Sequence, residues 1–226
     1  YIGAGVTFSE IIKSEIINKH FPLLVESAKT VASVGVRNRA TLAGNICSAV
    51  PSLDSGPALL VYDAKVLIKN TEEEKEVSIH DFFIKPRKTI VSKGEIVKAV
   101  VIDLPSYKTA GCYVKLGRYK GEDLAQAGIA ILAFENNTFK IAHCAVAPVP
   151  KRFTEIENIL NSNEITLEII EQCQAIIEKT ISPITDIRAT KEYRLHMMKV
   201  MFERGLNLAV SRLHGESDYS QHNILG

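Results

Sequence analysis

The 226-residue sequence contains no tryptophan and only four cysteines. Cys47, Cys112, Cys144 and Cys173 lie far apart without a CxxC pair, which excludes the spacing of a zinc ribbon or an iron–sulfur cluster. Their apolar or small neighbours predict buried free thiols in a reducing compartment. His143 and Cys144 are adjacent, but neighbours on a strand point to opposite faces, so they do not share one metal ion. There is no Walker A sequence, no GxGxxG, no GxSxG and no HExxH, which removes the motif basis for a P-loop, Rossmann, serine-hydrolase or zincin reading. Ser and His show no triad-like spacing, so no catalytic residue is assigned. No apolar run is long enough to span a membrane and no signal-peptide pattern is present. No basic block exists either. With 27 Lys and Arg against 26 Asp and Glu, the net charge of +1 gives no electrostatic footprint for nucleic acid or lipid. Asn136-Asn137-Thr138 fits a glycosylation sequon in form but reads as a polar hairpin tip.

What is present is an ordinary globular composition, 46% hydrophobic and 23% charged, in a chain long enough to bury a sizeable core. Thr7-Phe8-Ser9-Glu10 has the form of a capping box and predicts an amphipathic helix through Ile11, Ile12 and Ile16. Pro22 opens a second helix that ends near Gly35. The stretch 41–57, TLAGNICSAVPSLDSGP, reads as a loop of small and turn-forming residues, followed by a helical PALLVYDA. KVLIKN and KEVSI flank the solvated charge run TEEEKE as a hairpin. EIVKAVVIDLP is strand-like up to Pro105. After Pro105 the texture is a strand, AGCYVKL, a charged loop with Arg118 and Lys120, and two β-prone runs joined at Asn136-Asn137. From Pro150 three helical segments follow, the last capped by Thr190. Strands followed by helices predict an α+β architecture with units at 1–105 and 106–226. The tail from Gly215 lacks periodicity and is expected to dock on a partner or fray. The first residue is Tyr within strand-like sequence, so the subunit's own N-terminus is expected upstream.

The 41–57 stretch carries the chemistry. Small residues let backbone approach a ligand closely, and successive free N–H groups hold phosphate or carbonyl oxygens. Asp54 at its end suits a sugar or ribityl hydroxyl; as a plain structural element it is a helix cap. Lys115 alternates with Val114 and Leu116, a pattern that solvent exposure alone would explain, though a functional role is the favoured reading. Tyr113 reads as core, Arg194 and His196 as packing or subunit contact, and Met197-Met198 as helix core.

RNRATLAGNICSAVPSLDSGPALLVYDAKV resembles the second flavin-binding segment of the FAD subunit of the molybdenum hydroxylases. That family includes the medium subunits of xanthine, carbon monoxide and nicotinate dehydrogenases. Arg37, Asn38, Ala40, Thr41, Gly44, Asn45, Ile46, Pro51, Asp54, Pro57 and Asp63 match its pattern, while Ala43 replaces a glycine and Leu53 a serine. YVKLGRYKGEDLAQAGIAI and RATKEYRLHMMKVMFERGL resemble the start and the closing helix of its C-terminal domain. The resemblance implies an FAD-containing electron-transfer subunit made of the second FAD-binding subdomain, then a small antiparallel sheet packed with helices. It implies cofactor contacts at Thr41, Ala43, Gly44, Asn45, Asp54, Val97 and Lys115, with Val97 against the ring and Lys115 at its polar edge. Molybdopterin and [2Fe–2S] are expected on large and small partner subunits, with NAD as one possible acceptor and a cytoplasmic complex. The family's glycine-rich AGGT-like pyrophosphate loop precedes the region matched, so residues 1–226 alone are expected to hold FAD weakly or not at all, and the complete subunit to bind it. No cluster-binding insertion is present. The rival readings are a scaffold that has lost its cofactor, and an independent flavin oxidase, for which no acid/base group stands out.

Overall fold

The computed structural model describes residues 1–119, 122–219 and 225; Lys120 lies outside them. Strand β1 (Ile2–Gly3) leads to Thr7, whose hydroxyl accepts from the Glu10 N–H while the Glu10 carboxylate accepts from the Thr7 N–H, which is the capping box read from the sequence. The single helix expected there is two. Helix α1 (Phe8–Lys13) stops at Ser14, whose extended backbone and hydroxyl start α2 (Glu15–His20). Serine competes for the backbone in this way, and the break leaves Ile16 71% exposed rather than in the apolar stripe. Helix α3 (Pro22–Lys29) begins at Pro22 as expected but ends before Ala32, which adopts a left-handed φ of 38°. Ser33 then caps α4 (Val34–Arg37).

The stretch expected as a loop holds two short helices instead, α5 (Leu42–Ser48) and α6 (Ser55–Val61). Leu42, Ala43 and Ile46 are buried along one side of α5, and every residue of α6 is buried. The small residues permit close helix packing here as much as a tight turn. Strands β2 (Lys65–Lys69) and β3 (Glu74–Ser78) form the predicted hairpin. Helix α7 (Ile79–Phe82), the short pair β4 (Phe83–Lys85) and β5 (Lys88–Thr89), and β6 (Ile96–Val101) follow. The first sheet has the order β1-β6-β2-β3, with antiparallel neighbours.

The second sheet is built from β7 (Thr109–Leu116), β8 (Ala127–Phe134), β9 (Phe139–Cys144) and β10 (Lys151–Arg152), antiparallel in the order β10-β9-β8-β7. Asn137, at φ 61°, makes the β8–β9 turn predicted at that dipeptide. Helices α8 (Thr154–Ser162), α9 (Leu167–Thr180) and α10 (Lys191–His214) complete the α+β fold, and Thr190 caps α10 as expected.

The second sheet is buried on both faces, which is why its strands read as nearly continuous apolar runs. Tyr113, Ala130, Leu132 and Ala142 point into a core shared with α1, α3, α5 and α6. Cys112, Val114, Ile129, Ile131 and Ile141 point into a second core under α8, α9 and α10. Gly205 lets α10 approach closely, since a Cβ there would come within 3.1 Å of Ile131 Cδ1. Beyond α10, Tyr219 docks on its own chain: its ring lies 4.1 Å from the Arg212 guanidinium and its hydroxyl accepts from the Gly111 N–H.

Candidate functional site

Two small-residue segments that are far apart in sequence run side by side. The Ala4 N–H donates to Lys98 O at the edge of β6, placing Gly3-Ala4-Gly5 along the first sheet. Thr7 bridges to Thr41, the Phe8 N–H donates to Ala40 O, and the Leu42 N–H donates to Val6 O. The result is a surface carrying exposed Gly5 and Gly44, with Cys47 and Ser48 one turn along the same face of α5. Gly3-Ala4-Gly5 is too sparse a run to stand out in the sequence; only the pairing of β1 with β6 gives it a neighbour.

The polar groups here are arranged differently from a nest of free amides. The Thr41 hydroxyl accepts from the Gly44 N–H at 3.0 Å, and Thr41 O accepts from the Asn45 N–H at 3.0 Å. Both amides expected to face a ligand are therefore used inside α5, while neither contact uses the Ala43 N–H. The Asn45 side chain turns inward, where its Oδ1 accepts from the Ser55 hydroxyl at 2.6 Å and ties α5 to α6. Ala43 is 4% exposed, so its extra methyl fills the core. Leu53, in the position of the family's serine, is also buried and touches the space over Gly56.

Asp54 is no ordinary cap. Its side chain makes no capping bond; Oδ1 accepts from the Tyr113 hydroxyl at 2.9 Å and Oδ2 from Lys115 Nζ at 3.0 Å. Lys115 Nζ also donates to Thr30 O at 2.8 Å. Exposure does not explain this lysine, because α3 packs on β7 and Asp54, at the start of α6, holds the ammonium, leaving the side chain 10% exposed. Burial pushes the Asp54 carboxyl above its usual range, and the Lys115 charge and the Tyr113 bond oppose that. Arg37 braces the neighbouring turn, donating to Val31 O and Ala32 O. Val97 faces the first core at 8% exposure. Tyr113 is core, as read from the sequence; its bond to Asp54 and the part of Thr30 were not foreseen, although Tyr113 and Lys115 at i and i+2 on a strand necessarily share a face.

Other candidates have structural partners. Asp63 receives His80, Lys140 and Arg152, joining the first sheet to β9 and β10. Arg194 is buried and donates to Gln126 O, Ala145 O and Asp186, so its role is packing, whereas His196 is exposed. Met198 lies in the second core with Met197 against it. Cys112, Cys144 and Cys173 are buried free thiols, but Cys47 is exposed because it lies on the outer side of α5. Among the described residues no His, Cys, Asp and Glu side chains converge to hold a metal, and no helix is long and apolar enough to cross a membrane.

Residues 1–105 match the family model of the FAD binding domain in molybdopterin dehydrogenase, and 112–209 match the CO dehydrogenase flavoprotein C-terminal domain. The xanthine dehydrogenase FAD-binding subunit of Escherichia coli O157:H7 is 29% identical over 95% of this chain and 75% of its own length. The carbon monoxide dehydrogenase medium chain of Hydrogenophaga pseudoflava is 28% identical over 93% of this chain and 75% of its own. A solved structure of carbon monoxide dehydrogenase from Hydrogenophaga pseudoflava superimposes with a TM-score of 0.88 over 92% of this chain and 74% of that one, at 28% identity. With both halves matched in the same order, the chain belongs to the family of FAD-binding medium subunits of the molybdenum hydroxylases.

Proposed function

We propose that this chain binds FAD and relays electrons within a heteromeric molybdenum hydroxylase. The dinucleotide would lie across the Gly5–Gly44 surface, with its ring reaching toward Lys115. The observation that carries this reading is the apposition of Gly3–Gly5 and Thr41–Gly44, which exposes backbone without side chains beside a threonine hydroxyl. That surface fits a diphosphate-bearing ligand in two ways. A Cβ on Gly44 would come 3.0 Å from Thr41 Oγ1 and crowd the cap. The Thr41 hydroxyl, having accepted from Gly44, keeps its own proton for an outside acceptor.

When bound, FAD supplies the redox chemistry, accepting electrons from the iron–sulfur side and passing them to an acceptor. This chain's residues supply position and charge. Thr41 and the Ala43 N–H donate at the N-terminal end of α5, and Asn45 keeps α5 fixed against α6 through Ser55. Val97 supports the apolar side from the first core. Lys115, held by Asp54 and the Thr30 carbonyl, contributes a positive charge where a reduced, anionic ring would be stabilised. Asp54, with both oxygens already engaged, acts on a cofactor hydroxyl as an additional partner or through Lys115. Large molybdopterin-bearing and small [2Fe–2S] subunits are the partners proposed, NAD is a candidate acceptor, and a xanthine-like substrate would bind the large subunit.

A second reading, a scaffold without cofactor, draws on the fact that Gly44 N, Asn45 N and both Asp54 oxygens already have protein partners. Purifying the native complex and measuring flavin per medium chain separates the two. One FAD per chain is expected, reduced by the complex's substrate and reoxidised by its acceptor. A complex without flavin that still assembles would establish the scaffold.

A further inference from the structure

The hydroxyl of Tyr113 stands at the centre of a buried polar group that extends behind Lys115. It donates to Asp54 Oδ1 at 2.9 Å and lies 3.6 Å from Cys144 Sγ. The Lys115 ammonium donates one hydrogen bond to Asp54 Oδ2 at 3.0 Å and a second to Thr30 O at 2.8 Å. An ammonium has three N–H bonds, so one remains without a partner among the described residues, on a side chain whose exposure is 10%. The arrangement is built rather than incidental. Gly128 lies opposite Lys115 on β8, and a Cβ there would come 2.6 Å from Cys144 Sγ and 2.7 Å from Tyr113 Oη. The Tyr113 N–H is itself anchored, donating to the Glu26 carboxylate at 2.7 Å.

From this geometry we propose that Tyr113 is a positioning residue for the flavin's redox balance. It shares the negative charge of Asp54, so that Lys115 is held but not drawn fully into the ion pair, and the remaining N–H of Lys115 is presented to the cofactor. The inference rests on the proposed placement of the flavin near Lys115 and adds to it a residue that makes no cofactor contact. Without the phenol, Asp54 Oδ1 loses its donor in a dry site. The carboxylate's charge then falls on Lys115 alone, and the cation is less available to a reduced ring.

The test uses the assembled complex with Tyr113→Phe and Lys115→Met, measuring flavin content and the ratio of oxidised to reduced flavin at a fixed applied potential. Tyr113→Phe is expected to retain one FAD, and in both variants the flavin held is expected to shift toward the oxidised form, in Tyr113→Phe by roughly tenfold or less, the scale of one hydrogen bond to a charged group. A Tyr113→Phe complex with full flavin and an unchanged ratio, beside a shifted Lys115→Met, overturns the role of Tyr113 and leaves the flavin placement standing. Full flavin with no shift in either variant overturns both. Absence of flavin from the unmodified complex overturns the functional reading itself. Should Tyr113→Phe fail to assemble, a more acidic fluorotyrosine at position 113 keeps the hydroxyl and the packing. It is expected to shift the ratio toward the reduced form, and no shift would refute the proposal.

Discussion

Lys115 Nζ lies 3.0 Å from Asp54 Oδ2 although the residues are 61 positions apart, and both side chains are about nine-tenths buried. This pair joins the start of α6 to β7 and so links the two halves of the chain at the proposed cofactor edge.

Removing one member of such a pair strands the other in a dry site. Asp54→Asn keeps the shape but leaves the Lys115 ammonium without its counter-charge, for which about 3 kcal/mol of lost stability is expected. Urea unfolding of the variant, set against the parent at the same pH, measures this. A midpoint unchanged from the parent would mean that Lys115 finds another partner or sheds its proton. Replacing both residues, Asp54→Asn with Lys115→Met, is expected to recover part of the loss, because no unpaired charge then remains.

His143 gives the chain a pH dependence whose sign follows from its burial. It packs 4.5 Å from the Phe153 ring at 1% exposure, Nδ1 has no partner among the described residues, and burial, aided by the Lys151 charge, lowers its pKa to about 4. An unfolded histidine titrates near 6.5. The folded value is the depressed one, so this contribution is complete above about pH 6.5 and is lost as pH falls toward 4. Between pH 7 and pH 5 the expected loss is about 2 kcal/mol. His143→Leu should flatten that part of the stability profile. Equal slopes in parent and variant would show that His143 titrates normally.

The sequence makes the second half more legible than the first, for physical reasons. A strand buried on both faces must be apolar throughout, and an Asn-Asn turn between two such runs leaves little choice of hairpin, so β8, β9 and their turn are readable. Thr190 and Gly215 mark both ends of α10. The stretch 41–57 misleads because Gly, Ala, Ser and Asn serve a tight loop and a closely packed short helix equally well. Ser14 breaks α1 from α2 by a local bond that competes with the apolar period. As for the site, the family motif points to Thr41–Asn45 and Asp54. The inward turn of Asn45, the Tyr113–Asp54 bond and the partnership of Gly3–Gly5 with α5 are long-range, and no local pattern encodes them.

Gly128 tests how tightly the polar group is packed. A methyl there meets Cys144 Sγ at 2.6 Å and Tyr113 Oη at 2.7 Å on adjoining strands of a sheet buried on both faces. Gly128→Ala is expected to cost about 2 kcal/mol, within the range for overpacking a core. Adding Cys144→Ala should return part of it by vacating one of the two contacts. Thermal unfolding of the single and double variants gives the comparison. A Gly128→Ala protein as stable as the parent would mean that Tyr113 can leave its place without cost, and the Tyr113–Asp54 bond could not then be a rigid feature.

Cys47 offers a direct probe of the proposed cofactor surface. It is the exposed thiol among four, although burial lifts the pKa of all four, Cys144 to about 12 and Cys173 to about 11. A colourless-to-coloured thiol reagent should therefore react quickly with one cysteine in the folded protein and with four after denaturation. Cys47 follows Gly44 by three positions on the outer face of α5, so a dinucleotide lying on Gly44 must cover it. Reaction of the flavin-loaded complex is expected to be slowed at least tenfold relative to the same complex stripped of flavin, a factor that corresponds to about 1.4 kcal/mol of protection. Prior alkylation of Cys47 should in turn prevent flavin from rebinding. If loaded and stripped complexes react at one rate, the flavin lies on some other surface, and the pairing of Gly3–Gly5 with Thr41–Gly44 serves the fold alone.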